Sequence, residues 1–160
     1  CSLDVAMRPV SALTLVTSNG ALTVKGLSGT LKATTSNGAI KVDGFSGAID
    51  GSTSNGSVTI VGATEHVGVR TSNGGVKVTM APSAPGPVVI AASNGSIDLS
   101  VGASFRGLLQ AGTSNGSVSI AAPGASDVQL RKGSGSARFG DGQGASSLQS
   151  SNGSITVRGQ

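Results

Sequence analysis

The chain has 160 residues, enough for one domain of ordinary size, with 26 Gly, no Trp, no Tyr and three Phe, so a core rich in aromatic side chains is excluded. Eleven basic and seven acidic residues give a net charge of +4, but the basic ones are scattered, with Arg131-Lys132 the one adjacent pair; without a basic stripe or aromatic stacking platforms, no nucleic-acid partner is expected. No apolar run reaches the roughly 18 residues of a membrane-spanning helix.

Cys1 is the only cysteine, so an internal disulfide is excluded. A chain opening Cys-Ser is similar to a mature bacterial lipoprotein, which makes Cys1 the candidate lipid-attachment residue and that lipid the only expected link to a membrane. Leu3, Val5 and Met7 then alternate with polar residues, as do Leu13 and Leu15. Thr17-Ser18-Asn19-Gly20 follows, and this tetrapeptide organises the rest. It returns at Thr35 to Gly38, Thr53 to Gly56, Thr71 to Gly74 and Thr113 to Gly116, with near copies at Ala92 to Gly95 and Ser150 to Gly153. The asparagines stand at 19, 37, 55, 73, 94, 115 and 152; the first three steps are 18 residues and the next two are 21.

After each Asn, apolar residues recur at the third and fifth positions: Leu22 and Val24, Ile40 and Val42, Val58 and Ile60, Val76 and Val78, Ile97 and Leu99, Val118 and Ile120, Ile155 and Val157. This alternation predicts a short strand with one buried face. A second corner follows, Gly26-Leu27-Ser28-Gly29 and Gly44-Phe45-Ser46-Gly47 in the first repeats, and then a second alternating run such as Leu31 and Ala33 or Val67 and Val69. Each repeat therefore holds two strands and two corners.

A meander of hairpins would use Asn-Gly as its turns. It gives no reason for Thr, Ser, Asn and Gly to recur at one phase with a different sequence at the other corner. A β-solenoid does, because equivalent residues stack about 4.8 Å apart. The expected fold is all-β: a single β-solenoid domain over residues 1–160, with about eight coils. Asn19, Asn37, Asn55, Asn73, Asn94, Asn115 and Asn152 are expected to form a structural ladder, pointing inward and bonded to one another. Each corner Gly is expected to supply a positive φ.

Regularity breaks after Val78. Residues 80–87 hold three of the five prolines and read as a loop. Further irregular loops are expected over 102–112 and 121–127, and a decayed coil over 131–147 in which Ala137 and Phe139 keep the buried phase. The loops fall on one edge, so Pro82, Pro85, Pro87, Phe105 and Arg106 form a candidate binding edge.

No catalytic constellation is legible, and no enzyme activity is expected. His66 is the single histidine, and the seven acids occupy different phases of the repeat. Calcium-binding rolls need Asp in Gly-Gly-x-Gly-x-Asp, where this chain has Val, Ile or Thr. No metal site and no cofactor are expected. An ice-binding surface would need a flat Thr array, but the outward positions mix Thr, Lys, Asp and Ser.

Repeated Ser-Asn-Gly followed by alternating apolar residues, with Gly-x-Ser-Gly at the opposite corner, resembles a family of bacterial adhesin-like β-solenoids. The resemblance is carried by residues 17–120 and 148–157. It implies a location outside the cell or on the bacterial outer-membrane surface, and it supplies no catalytic residues. No cap is legible at either end, so copies are expected to join head to tail into a filament through open sheet edges. The alternative expectation is a monomeric cell-surface module that grips a glycan or a protein through the looped edge.

Overall fold

Alternating apolar and polar side chains make a strand with one dry face, and such strands need a second dry face to cover them. The structure, a computed structural model, describes residues 2–5 and 11–160. Cys1 and Met7 lie outside the described residues. Among these residues the chain is all-β, with 17 strands in two sheets and no helix. β1 (Ser2–Val5), β2 (Ala12–Thr17), β3 (Ala21–Lys25), β4 (Ser28–Thr35), β5 (Ile40–Asp43), β6 (Ser46–Thr53), β7 (Val58–Ala63), β8 (Val67–Asn73) and β9 (Val76–Met80) carry the regular repeats. β10 (Val88–Asn94) and β11 (Ile97–Val101) follow the proline loop. β12 (Gly107–Asn115), β13 (Val118–Ala121), β14 (Ala125–Arg131), β15 (Ser134–Phe139), β16 (Ala145–Asn152) and β17 (Ile155–Gly159) complete the chain.

Odd and even strands separate up to β13. One sheet runs β1-β3-β5-β7-β9-β11-β17-β13, and the other runs β14-β15-β12-β16-β10-β8-β6-β4-β2. From β2 to β11 the chain crosses at each Ser-Asn-Gly corner from the nine-stranded to the eight-stranded sheet and returns at the other corner. Each round trip adds one strand to each sheet, a tier, in parallel register. Leu22 pairs with Ile40, Ile40 with Val58, Val58 with Val76 and Val76 with Ile97. On the facing sheet Leu15, Ala33, Gly51, Val69 and Ile90 line up in the same way. These columns face each other across the dry interior, where Leu22, Val24, Leu31, Val42, Val58 and Ile60 are fully buried. All three phenylalanines are buried too.

Chain order and spatial order part company after β11. The next tier in sequence, β12–β13, does not stack on β10–β11. The last repeat sits between them: β16 pairs in parallel with both β10 and β12, and β17 with both β11 and β13. Ile155 pairs with Ile97 on one side and Val118 on the other, so the apolar column runs on unbroken.

Three segments differ from the sequence expectation. The 102–112 stretch is irregular only to 106, because β12 starts at Gly107 and buries Leu109 and Ala111. The 121–127 stretch reduces to residues 122–124; β14 then begins, with a bulge between Ser126 and Gln129 where Asp127 takes φ 49°. Residues 131–147 are no decayed coil. β14 and β15 form an antiparallel hairpin, and β15 also pairs antiparallel to β12. Ala137 and Phe139 are buried as the alternation requires, but the strand direction is reversed.

The hairpin also corrects the expectation of two uncapped ends. It carries the nine-stranded sheet two strands past β12. At Gly135 a side chain would press on Val118 and Ile120 of the other sheet, so the hairpin closes over the apolar end there.

Candidate functional site: the Ser-Asn-Gly corner and the trough beside it

The corner divides its four residues by direction. Thr turns in: Thr35, Thr53, Thr71 and Thr113 are buried. Each donates its hydroxyl to a glycine carbonyl on the neighbouring tier: Thr35 to Gly20 at 3.4 Å, Thr53 to Gly38 at 3.2 Å, Thr71 to Gly56 at 3.3 Å and Thr113 to Gly153 at 2.9 Å. Ser150 does the same to Gly95 at 3.0 Å. Ser and Asn turn out, so the expectation of inward asparagines is corrected. Their amides still bond to one another in the spatial order 19, 37, 55, 73, 94, 152, 115, each Nδ2 donating to the Oδ1 of the asparagine before it at 2.7–2.9 Å. An exposed corner suffices, because each amide finds its partner in the next tier rather than in the interior.

The corner glycines serve a purpose other than the one expected. Gly38, Gly56, Gly74, Gly95, Gly116 and Gly153 are absent from the left-handed region, which is populated instead at the opposite corner by Gly26, Gly29, Gly44 and Gly47. The reason for glycine is close stacking. A Cβ on Gly38 would collide with the Gly20 carbonyl oxygen, and one on Gly56 with that of Gly38.

Beside the Ser row, the outer face of the nine-stranded sheet is a shallow trough. Arg70, Ala91, Gln149, Gly112, Ser134 and Arg131 lie side by side across six neighbouring strands. The small residues leave two adjoining hollows of about 700 and 480 Å³, which share Gly112 and Gln149. Ser72, Ser93, Ser151 and Ser114 form one bank. Arg70 and Arg131 stand five strand spacings apart, about 24 Å. Gln110 and Gln129 add amides at the Arg131 end. A third hollow of about 390 Å³ lies against Asp50, His66, Arg70 and Val89, with His66 exposed at its rim. Chemically the trough offers hydroxyls, amides and two guanidinium groups to a polar, elongated ligand. Sequence reading missed it because Gln149 joins Ala91 and Gly112 only once the last repeat is known to lie between their strands.

The looped edge is put to a different use. The backbone N–H groups of Ser104 and Arg106 donate to the Pro82 and Pro85 carbonyls at 3.1 Å each, so the two loops are tied together. Pro82, Pro85 and Arg106 are exposed and Pro87 is half-buried. Phe105 is only 3% exposed, which removes it from any binding edge. Its ring meets Phe139 edge-on, with centroids 5.1 Å apart and planes at 87°. The Arg106 side chain covers Gly140 and Gly142, where an added Cβ would strike it. Among the described residues no three His, Cys, Asp or Glu side chains gather as a metal site would require.

No family model matches the chain, and no curated protein does. Among solved structures the chain is similar to that of a "putative cell adhesion protein" from Clostridium sporogenes ATCC 15579, at 12% identity and a TM-score of 0.43, over 79% of this chain and 56% of that one. The chain thus spans little more than half the length of that protein.

Proposed function

We propose that the chain is a non-catalytic, adhesin-like β-solenoid of the bacterial surface that works as a rigid structural rod, with copies joining through their ends. The observation that carries this reading is the corner itself: seven tiers share one register and one line of bonded asparagines, an investment in a stiff repetitive body. Nine strands at about 4.8 Å make a rod roughly 40 Å long. Among the described residues β2 and β14 are the outermost strands of the nine-stranded sheet, and Val128 and Leu130 on β14 are 43% and 52% exposed, so the hairpin that closes the far end still presents an open edge. Negative-stain electron microscopy with sedimentation tests the joining. Filaments with a repeat near that length support it, whereas single short rods at high concentration remove it and leave the solitary rod.

The trough favours a second reading, in which the rod holds a surface glycan. Rows of hydroxyls and amides suit sugar hydroxyls, and the two arginines suit carboxylates on an acidic sugar chain. Arg70→Ala and Gln149→Ala should each abolish retention on an acidic-glycan array while leaving the fold intact. Equal retention by both variants would reject this reading.

A further inference from the structure

The last repeat fills a slot rather than extending the stack. Without β16 and β17, β10 and β12 would stand two strand spacings apart, about 10 Å, with no strand between them. β13 would have no neighbour in its sheet, since β17 is the one strand it pairs with there. The slot walls are those of any tier. Gly95 donates its N–H to the Asn152 carbonyl at 3.1 Å, and Gly153 to that of Asn115 at 3.2 Å. Ile97 and Ile155 donate to Ser154 and Ser117 at 2.9 and 2.8 Å. The side chain of Asn152 is bonded on both sides, to Asn94 and Asn115.

We propose that this slot is a docking site for the β16–β17 repeat of a second copy, so that copies are linked by exchanging their last repeats. Two features carry the proposal beyond the open-edge joining described above. First, the repeat is a discrete unit that packs by slotting between two walls, and the walls read only the tier pattern, which an identical repeat from another chain meets equally well. Exchange therefore preserves every wall contact, and the balance between closed and exchanged forms rests on the connection and on concentration. Second, the connection from β15 to β16 carries glycine at 140, 142 and 144, a composition that bends and extends at little steric cost. If each copy gives its repeat to the next, the link is open-ended and makes a chain of rods.

The test uses the whole 160-residue chain in a Cys1→Ser background. Ser93 and Ser151 lie between the paired positions Ala92–Ser150 and Asn94–Asn152 on the adjacent strands β10 and β16, so one strand spacing separates them, within the Cα separation that a disulfide spans. One variant carries Ser93→Cys and another, differently tagged, carries Ser151→Cys. The two are unfolded together, refolded at high concentration and oxidised. A mixed covalent dimer is expected, in clear excess over a control pairing Ser36→Cys with Ser151→Cys, whose tiers are not neighbours. A second variant deletes Gly140 to Gln143, leaving one residue to cross the two strand spacings over β12 that separate β15 from β16, about 10 Å and beyond its reach, so that the repeat no longer returns to its own slot; its sedimenting mass should at least double. Mixed-dimer yields equal to the control overturn the proposal, whatever the deletion variant does. Copies joined only by open edges would give filaments without that mixed disulfide, which keeps the two modes of joining distinguishable.

Discussion

Asn152 donates its side-chain amide to Asn94 at 2.7 Å, across 58 residues of chain. The same side chain accepts from Asn115 at 2.8 Å. One residue of the last repeat thus splices two runs of the ladder that its own absence would leave apart. Every internal member both gives and receives one bond, so the amide dipoles point one way along the stack.

Internal and terminal members should differ in worth. Asn55→Ala removes two ladder bonds, to Asn37 and from Asn73, whereas Asn115→Ala removes the one to Asn152. The ladder is exposed, so each bond contributes toward the low end of the usual range. Urea denaturation should show a loss of about 1–2 kcal/mol for Asn55→Ala and about half that for Asn115→Ala. Equal losses would mean that the amides act singly.

One tier lacks its inward hydroxyl. Where Thr71 reaches Gly56 and Ser150 reaches Gly95, the β10 tier has Ala92, 7% exposed and in register with both. Ala92→Thr places a hydroxyl at a position that carries Thr on five other tiers. A gain of about 0.5–1.5 kcal/mol is expected. Thermal melting should register it as a rise of a few degrees, about 2–4 °C per kcal/mol for a chain of this size.

The glycines at the two corners should respond differently to alanine. Gly56→Ala drives a Cβ into the Gly38 carbonyl, and two tiers must separate to admit it. Gly44 has φ +63° and nothing within 4 Å of its added Cβ, so Gly44→Ala meets only the left-handed backbone penalty. Denaturation should give about 1–2 kcal/mol for Gly44→Ala and about 3 kcal/mol or more for Gly56→Ala. A reversal of that order would contradict the stacking account of the corner.

The two-sheet body was legible because alternation and a fixed period are local signals. Leu22, Ile40 and Val58 announce their column by spacing alone. What was not legible is tertiary choice. Nothing near Ser150 records that its tier stacks on Gly95 rather than following Gly116, because every tier carries the same corner and the slot accepts any of them by pattern. The β14–β15 hairpin was misread for a related reason. Ala137 and Phe139 alternate as they would in a parallel tier, and alternation fixes which face is buried but not which way the strand runs. The corner glycines misled because Asn-Gly ordinarily marks positive φ. Here the constraint comes from the neighbouring tier, 18 residues away, and no local rule contains it.

The aromatic pair at the far end gives the last prediction. Phe105 follows β11 in the loop, and Phe139 closes β15, opposite Gly107 and Ala125. Their edge-to-face contact ties the reversed hairpin to the loop that also holds the proline segment, since a Cβ on Gly86 would press on the Phe105 ring. Phe139→Ala should cost about 3–5 kcal/mol by opening a cavity. A double-mutant cycle of Phe105→Leu with Phe139→Leu should show coupling of about 0.5–1.5 kcal/mol, the usual worth of an aromatic pair beyond its buried area. Hydrogen exchange should report the same link, with Phe139→Leu weakening amide protection in both β15 and residues 102–106. If the two changes add without coupling, the aromatic contact does not tie the hairpin to the loop.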